Sequence, residues 1–193
     1  PVTGVSVDKT EITNAVVGTT DKITATVLPK KTLGMGGANH TDVIWSSSNE
    51  SVCTVDSDGN LSFKDTGTCV ITVTTLDGGF TAQTSVKVYA DKSALNAAVE
   101  SANALVETAY TPATWAEFKK ALASATETLN AEDPTQAEVN EALALLTEKE
   151  NALEDYIYVS GVNISYNGDS SDVITVKVPA DQSYIMATAQ LEF

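Results

Sequence analysis

Apolar and polar residues alternate along most of the first 90 positions. A period of two places successive side chains on opposite faces of a strand, so that one face can be buried. Turn-forming stretches separate the alternating runs. About seven short strands in such a length are typical of a β-sandwich with an immunoglobulin-like core. The clearest run alternates Phe80, Ala82, Thr84, Val86 and Val88 with Thr81, Gln83, Ser85 and Lys87.

The segment between residues 43 and 73 carries the same alternation through a tryptophan and two cysteines. The pattern predicts one shared, inward-facing set: Val43, Trp45, Cys53, Val55, Leu61, Phe63, Cys69, Ile71 and Val73. We therefore interpret Trp45 as the aromatic centre of the sandwich core instead of a ligand-stacking residue.

The acidic stretch "DSDGN" at residues 56–60 allows two interpretations. A calcium loop of the EF-hand type needs oxygen ligands at alternate positions and a glycine at the sixth, but the sixth residue from Asp56 is Leu61. A tight hairpin turn accounts for the same residues, because Asp and Asn tolerate turn geometry and Gly59 adopts a positive φ at little cost. The spacing favours the turn.

Cys53 and Cys69 lie 16 positions apart on strands predicted to face one core. They could form a disulfide, which would contribute about 3 kcal/mol in the chain-entropy model, or they could be two small buried apolar residues. Antibody domains place a tryptophan between their bridging cysteines, whereas Trp45 precedes both. The two cysteines do not have the spacing of a metal site. The sequence does not decide between a disulfide and two buried free thiols.

From residue 91 to residue 155 the apolar period becomes helical. Three stripes at spacings of three and four predict three helices of roughly 18 to 20 residues in a bundle. The first stripe runs from Leu95 to Ala109, the second includes Trp115 and Phe118 as core residues, and the third begins at Val139. Thr111 followed by Pro112 predicts one helix start, and Asp133 followed by Pro134, with Gln136 in a capping box, predicts another. The many glutamates are expected to form a solvated helix surface.

Residues 156–193 return to alternation and predict about three strands, with a turn at Asn167 and Gly168. A segment of this length can hardly bury a core alone, so it is either a truncated β-domain or a small sheet on its neighbours. The predicted domains are therefore 1–90, 91–155 and 156–193. The expected fold class is multidomain, with an immunoglobulin-like sandwich, a three-helix bundle and a short β segment.

Charge and composition exclude several classes of function. The net charge is −15 and the chain has no arginine, so nucleic-acid binding is not expected. No stretch approaches the roughly 20 apolar residues that span a bilayer, so we expect no membrane contact here and any leader or anchor outside this sequence. The only histidine is His40, and no nucleophile or phosphate-binding motif occurs. We expect no catalytic residues, metal site or cofactor, and no enzyme activity.

Five segments together resemble the group 2 bacterial immunoglobulin-like (Big) domain. The resemblance implies a secreted or surface-exposed bacterial protein in which the module serves adhesion or spacing, and it supplies no catalytic residue. Cys53 and Cys69 stand where that family commonly has small residues, and the loop at 33–41 is longer. The segments are "VTGVSVDKTEIT" (2–13), "ITATVLP" (23–29), "VIWSSSNESVCTVDSDGNLS" (43–62), "GTCVITVTT" (67–75) and "TSVKVYA" (84–90).

The stretch from residue 109 to residue 153 resembles the FIVAR ("found in various architectures") module. The resemblance implies a three-helix domain of bacterial surface proteins and large secreted glycosidases, with no defined binding site. The residues that carry it are Tyr110, Thr111, Trp115, Ala121, Leu122, Ala125, Leu129, Thr135, Gln136, Val139 and Ala142.

The sequence thus predicts a non-catalytic spacer and interaction segment of an extracellular or cell-surface bacterial protein, an adhesin or a large glycosidase. Its first partners are the neighbouring domains of its own polypeptide. An alternative is direct binding of polysaccharide or a host extracellular protein, since sugar rings stack on exposed aromatic side chains. The candidate aromatics are Tyr89, Tyr156, Tyr158 and Tyr166. A weak calcium site in the Asp-rich loops is a further alternative.

Overall fold

A computed structural model describes residues 1–29 and 40–155, together with the backbone of Asn163–Ser165 and Thr175–Lys177. The chain forms two compact units, Pro1–Glu154 and Asp155–Phe193. Most of the Gly-rich loop at 33–41 and the predicted turn at Asn167 and Gly168 lie outside the described residues.

The first part of the larger unit consists of β-strands. The strands are β1 (Gly4–Val7), β2 (Glu11–Val16), β3 (Thr20–Lys22), β4 (Ala25–Leu28), β5 (Val43–Ser47), β6 (Cys53–Val55), β7 (Asn60–Phe63), β8 (Gly67–Thr75) and β9 (Thr81–Tyr89). Their order is β2-β9-β8-β5 in a four-stranded sheet, β3-β7-β6 in a three-stranded sheet and β1-β4 in a strand pair. All neighbours are antiparallel except β2 and β9, which are parallel.

This region has more strands than the predicted number of about seven. Among residues 1–29 and 40–90, nine strands form because two runs are each divided between two sheets: β1 pairs with β4, whereas its continuation β2 pairs with β9. Asp8 lies between β1 and β2, and Thr24 lies between β3 and β4. The Asp8 carboxylate accepts a hydrogen bond from the Thr24 amide at 2.8 Å, which connects the two places where a run is divided. Alternation reports which face a residue occupies but not which sheet its strand joins.

The sandwich core confirms the inward faces predicted between residues 43 and 73, whereas Phe80, which precedes β9, is 37% exposed and departs from the predicted buried face. Ile71 and Cys53 are fully buried in a cluster that also contains Leu61, Phe63, Cys69, Val86 and Val88. Trp45 is half-buried and packs against this cluster, as expected of a core aromatic. The immunoglobulin-like sandwich predicted for this region is therefore present.

The "DSDGN" stretch is a hairpin turn between β6 and β7. The Asp56 carboxylate accepts hydrogen bonds from the amides of Asp58 (2.9 Å) and Asn60 (2.8 Å) and from the Asn60 side-chain amide (2.7 Å). The bonds from Asn60 lower the pKa of Asp56. Gly59 has φ +80°, and a Cβ there would clash with the Ile23 carbonyl oxygen, so the turn requires glycine.

Three α-helices follow, namely α1 (Ser93–Asn103), α2 (Pro112–Asn130) and α3 (Gln136–Asn151). Their apolar faces share one core, in which Leu95, Phe118 and Leu146 are fully buried. Trp115 is 7% exposed and stacks on Tyr110 with ring centroids 5.7 Å apart. The predicted core roles of Trp115 and Phe118 are therefore correct.

The first helix is shorter than predicted. It has 11 residues, followed by a short 3-10 turn at Glu107–Ala109, whereas α2 has 19 and α3 has 16. Val106 takes an extended conformation and is 61% exposed, so the apolar stripe read as far as Ala109 leaves the helix. β-Branched Val106 and Thr108 favour helix weakly, which is consistent with the early end.

Helix starts were predicted with mixed success. Thr111 is the N-cap of α2 with Pro112 in its first turn, as expected. The N-cap of α3 is Thr135 and not Asp133, because Thr135 and Glu138 form a reciprocal capping box. The Glu138 amide donates to Thr135 Oγ1 at 3.2 Å, and the Glu138 carboxylate accepts from the Thr135 amide at 2.8 Å. Glu138 thus has a structural role that the solvated-surface interpretation missed.

The smaller unit contains one described strand pair. Strands β10 (Asn163–Ser165) and β11 (Thr175–Lys177) are antiparallel, with Ile164 opposite Val176. Two of the predicted alternating runs therefore do form strands.

Candidate functional site

The larger unit has a short junction where the sandwich meets the helices. Strand β9 ends at Tyr89 and α1 begins at Ser93, so three residues connect them. Ala90, the first of these, is 9% exposed and belongs to the helical core cluster. The connection is therefore packed from its first residue.

Gln136 holds the backbone of the connection from the start of α3. The Asp91 amide donates to Gln136 Oε1 at 2.7 Å, and Gln136 Nε2 donates back to the Asp91 carbonyl at 3.3 Å. Gln136 Nε2 also donates to Asn140 Oδ1 at 3.0 Å, which orients the amide along the helix. One side chain thus satisfies both polar groups of a linker residue 45 positions away.

The Asp91 side chain fixes the start of α1. Its carboxylate accepts hydrogen bonds from the Ser93 hydroxyl at 2.6 Å and the Ser93 amide at 2.9 Å. These bonds lower the pKa of Asp91. A carboxylate at this place satisfies an amide that a helix start leaves without an intrahelical partner.

Lys92 reaches from the start of α1 to the end of α2. Its Nζ donates to the carbonyl oxygens of Leu129 at 3.0 Å and Ala131 at 2.6 Å. The last carbonyl groups of a helix lack intrahelical partners and carry partial negative charge, so an ammonium group there is stabilising. The linker residue therefore acts as a C-terminal cap of another helix.

A salt bridge connects strand β9 to the loop between α2 and α3. Lys87 Nζ lies 2.9 Å from Asp133 Oδ2, and this hydrogen bond raises the pKa of Lys87. Both side chains are partly exposed, so the pair contributes little free energy. It does set a second point of contact, away from the covalent connection.

A cleft of about 640 Å³ lies between the sandwich and the helices at this junction. Its walls come from residues 66–68, 87–90, 92 and 132–135. The carboxylates of Glu132 and Asp133 are exposed, and Asp133 is already paired with Lys87. They are not in the desolvated setting in which a carboxylic acid serves acid–base catalysis.

Tyr89, one of the predicted stacking aromatics, lines this cleft and is half-buried. The Lys87 ammonium lies over its ring, 4.6 Å from the centroid, so one face is already occupied by a cation–π contact. The predicted stacking of a sugar ring on Tyr89 would therefore use the opposite face of the tyrosine ring. Tyr156, Tyr158 and Tyr166 lie outside the described residues.

The cysteines predicted to share one core do so. Cys53 and Cys69 are buried free thiols from the two facing sheets, and both belong to the core cluster of the sandwich. The disulfide between them stays one of the two alternatives given by the sequence.

Within residues 1–29 and 40–155, no group of three or more His, Cys, Asp or Glu side chains is arranged to hold a metal ion. None of the described helices has both the length and the apolar character needed to cross a membrane.

The junction contacts were missed by the sequence analysis. Lys87, Lys92 and Gln136 were not singled out as linking residues, and Asp133 was assigned to a cap. The available signal was the outward position of Lys87 in the alternating β9 run, together with a three-residue connection too short to separate two modules.

Two family models match the chain. Residues 30–77 match the immunoglobulin-like domain of intimin, and residues 91–154 match the FIVAR domain. The chain carries an intimin-like immunoglobulin domain followed by a FIVAR domain. The immunoglobulin-like and FIVAR assignments are thereby confirmed, with intimin as the matching immunoglobulin subtype. Both are non-catalytic module types.

Among curated proteins, an uncharacterized protein of Clostridium acetobutylicum is 36% identical over 89 residues. The match covers 46% of this chain and 21% of the relative, so the chain spans about a fifth of that protein's length.

Three solved structures resemble parts of the chain at low overall similarity. Domains 4 and 5 of the S-layer protein SbsC are 17% identical with a TM-score of 0.36, over 46% of this chain and 52% of that one. The CBM51-2 and INT domains of Clostridium perfringens ZmpB are 24% identical with a TM-score of 0.37, over 56% and 22%. An intimin mutant of EHEC O157:H7 is 18% identical with a TM-score of 0.35, over 62% and 67%.

Proposed function

We propose that this chain is a non-catalytic spacer and interaction segment of a larger bacterial protein that acts outside the cell or on its surface. Its modules would be the sandwich (1–90), the FIVAR bundle (91–155) and a further β segment (156–193). The larger protein would be an adhesin or a large glycosidase whose active or adhesive domain this segment holds at a distance.

The observation that carries the proposal is the hydrogen-bonded junction. A flexible tether between modules has no need of buried or bonded linker residues. Here Ala90 is buried, both Asp91 backbone groups are bonded to Gln136, and Lys92 caps α2. A spacer that must transmit orientation requires this kind of connection.

Strand direction supports the same role. Because β2 and β9 are parallel, the chain enters the sandwich near one end and leaves it near the other. The FIVAR helices begin at the exit end, so the sandwich and the helices follow one another in series within the larger unit.

The experiment is to measure residual dipolar couplings of the full chain and fit one alignment tensor to the sandwich amides and one to the helix amides. We expect the wild-type tensors to agree in orientation and magnitude, because the junction holds both regions as one body. The variant Lys92→Met/Gln136→Ala removes the cap and both linker bonds and should make the two tensors diverge.

Lys120→Met is the matched control. It removes an exposed lysine that pairs with Glu117 on α2, away from the junction, and should leave the tensors in agreement. Wild-type tensors that already disagree would show a flexible tether and would overturn the proposal.

A further inference from the structure

Cys53 and Cys69 meet between the two sheets of the sandwich. Cys53 begins β6 in the three-stranded sheet and is 0% exposed, whereas Cys69 lies in β8 of the four-stranded sheet and is 5% exposed. Both side chains belong to one buried apolar cluster, in which the Cys53 thiol donates a hydrogen bond to the Thr54 carbonyl at 3.5 Å. The two cysteines thus share one core although they stand 16 positions apart in the chain.

The surroundings make both thiols unreactive once the sandwich has formed. Burial, and then the adjacent Cys69 thiol, raises the pKa of Cys53 to about 12. Burial also raises the pKa of Cys69. The thiolate is the reactive form, so at neutral pH the folded pair presents almost no nucleophile, and Cys53 has no exposed surface that an oxidant could reach. In the unfolded chain both thiols are accessible and have pKa values near 8.5.

We propose that Cys53 and Cys69 form a disulfide that joins the two sheets, and that this bond forms while the chain folds and not after the sandwich has closed. Folding in a reducing setting would trap the dithiol, and folding in an oxidising setting would trap the bridge. The oxidation state of the pair in the folded protein therefore depends on the redox conditions during folding.

The chemistry balances with a small-molecule disulfide as oxidant. One cysteine thiolate of the unfolded chain attacks oxidised glutathione, which forms a mixed disulfide and releases one glutathione thiolate. The second cysteine thiolate then attacks the protein sulfur of the mixed disulfide and releases the second glutathione. Two protein thiols lose two electrons and two protons, and one oxidised glutathione becomes two reduced molecules.

The test compares two orders of events with the full chain. In the first, reduced protein unfolded in guanidinium is diluted into oxidised and reduced glutathione. In the second, the protein is refolded in dithiothreitol, freed of reductant and then given the same glutathione mixture for the same time. Each sample is denatured, alkylated with iodoacetamide and weighed by mass spectrometry.

The first order should give a protein 2 Da lighter with no alkylated cysteine, and the second should give two alkylated cysteines. The bridged sandwich should melt roughly 10 °C above the reduced one. Two alkylated cysteines, or two bound glutathiones, after oxidative refolding would overturn the bridge. Equal bridging in both orders would overturn the claim that it forms during folding.

The control is Cys53→Ala/Cys69→Ala, whose melting temperature should not respond to glutathione. A response of that variant equal to the wild-type response would show that the stabilisation has another source. Thiol counting on the wild-type chain needs no variant, so the bridge is tested even if the double substitution prevents folding.

Discussion

The sandwich and the helical bundle bury similar apolar side chains but fix them in different ways. Ile12 of β2 lies opposite Val86 of β9, so sandwich neighbours can stand more than 70 residues apart in the chain. The bundle gathers its core from three consecutive helices whose ends are set by local groups such as the Thr135 and Glu138 box. Position is therefore set by distant backbone pairing in one region and by local capping in the other.

Charge separates the regions as well. Residues 1–90 contain 9 acidic residues and 6 lysines, whereas 91–155 contain 13 acidic residues and 4 lysines. The junction brings Lys87 from the first region and Lys92 from the second onto Asp133 and the carbonyl end of α2. Scarce positive charge is thus placed where the acidic bundle meets its neighbour.

The largest test of this comparison is Phe118→Ala in the bundle core. Phe118 is fully buried, so truncation should lower the free energy of unfolding of the helices by about 3–5 kcal/mol. Because the sandwich has its own core cluster, its amide cross-peaks in an NMR spectrum should persist when ellipticity at 222 nm is lost on heating. Ile71→Ala should give the reverse order. If the sandwich cross-peaks and the helical ellipticity disappear at the same temperature in both variants, the two regions unfold as a single cooperative unit.

A smaller effect is expected at Gly59, where the hairpin approaches Ile23 in the connection between β3 and β4. Gly59→Ala combines a positive φ with a clash against the Ile23 carbonyl, and should lower the free energy of unfolding by about 3 kcal/mol. Gly18 has φ +84° but open space around it, so Gly18→Ala should cost only about 1 kcal/mol. Equal losses in urea unfolding would mean that the close approach has no energetic effect.

The smallest effect concerns the local cap of α3 and its pH dependence. Hydrogen bonds from Thr135 lower the pKa of Glu138 below its ordinary 4.5, so the carboxylate stabilises the helix above pH 4.5 and loses that effect as pH falls through the lowered value. Glu138→Gln keeps an acceptor without a titrating group. Its helical melting temperature should therefore fall less than that of the wild type between pH 5 and pH 3.

Thr135→Ala provides the matched control for the cap. It removes the side-chain acceptor at every pH and should cost about 1 kcal/mol in the same melting experiment. Identical pH profiles for wild type and Glu138→Gln would show that the carboxylate does not contribute to the acid dependence.

Sequence patterns predicted faces and element types well, because these depend on local periodicity. Trp45, Phe63 and Ile71 point inward as the alternation required, and Trp115 and Phe118 fill the bundle. Patterns did not predict the division of β1 from β2, since that depends on which distant strand each half meets. They also placed the α3 cap at Asp133, because two acceptable capping residues flank Pro134.

The short connection and the outward Lys87 marked the junction in the sequence, but its individual bonds were not predictable for a related reason. Its bonds join residues about 45 positions apart, such as Lys87 with Asp133 and Asp91 with Gln136. No local period links such pairs, and their meeting follows only from the final arrangement of the strands and helices.

The parallel pairing of β2 with β9 has a mechanical consequence. When the two ends of the sandwich are drawn apart, the load runs along these strands in opposite senses and across the hydrogen bonds between them. Those bonds must then fail together, in shear, instead of opening one after another as in a peeled hairpin. A module connected in this way resists tension.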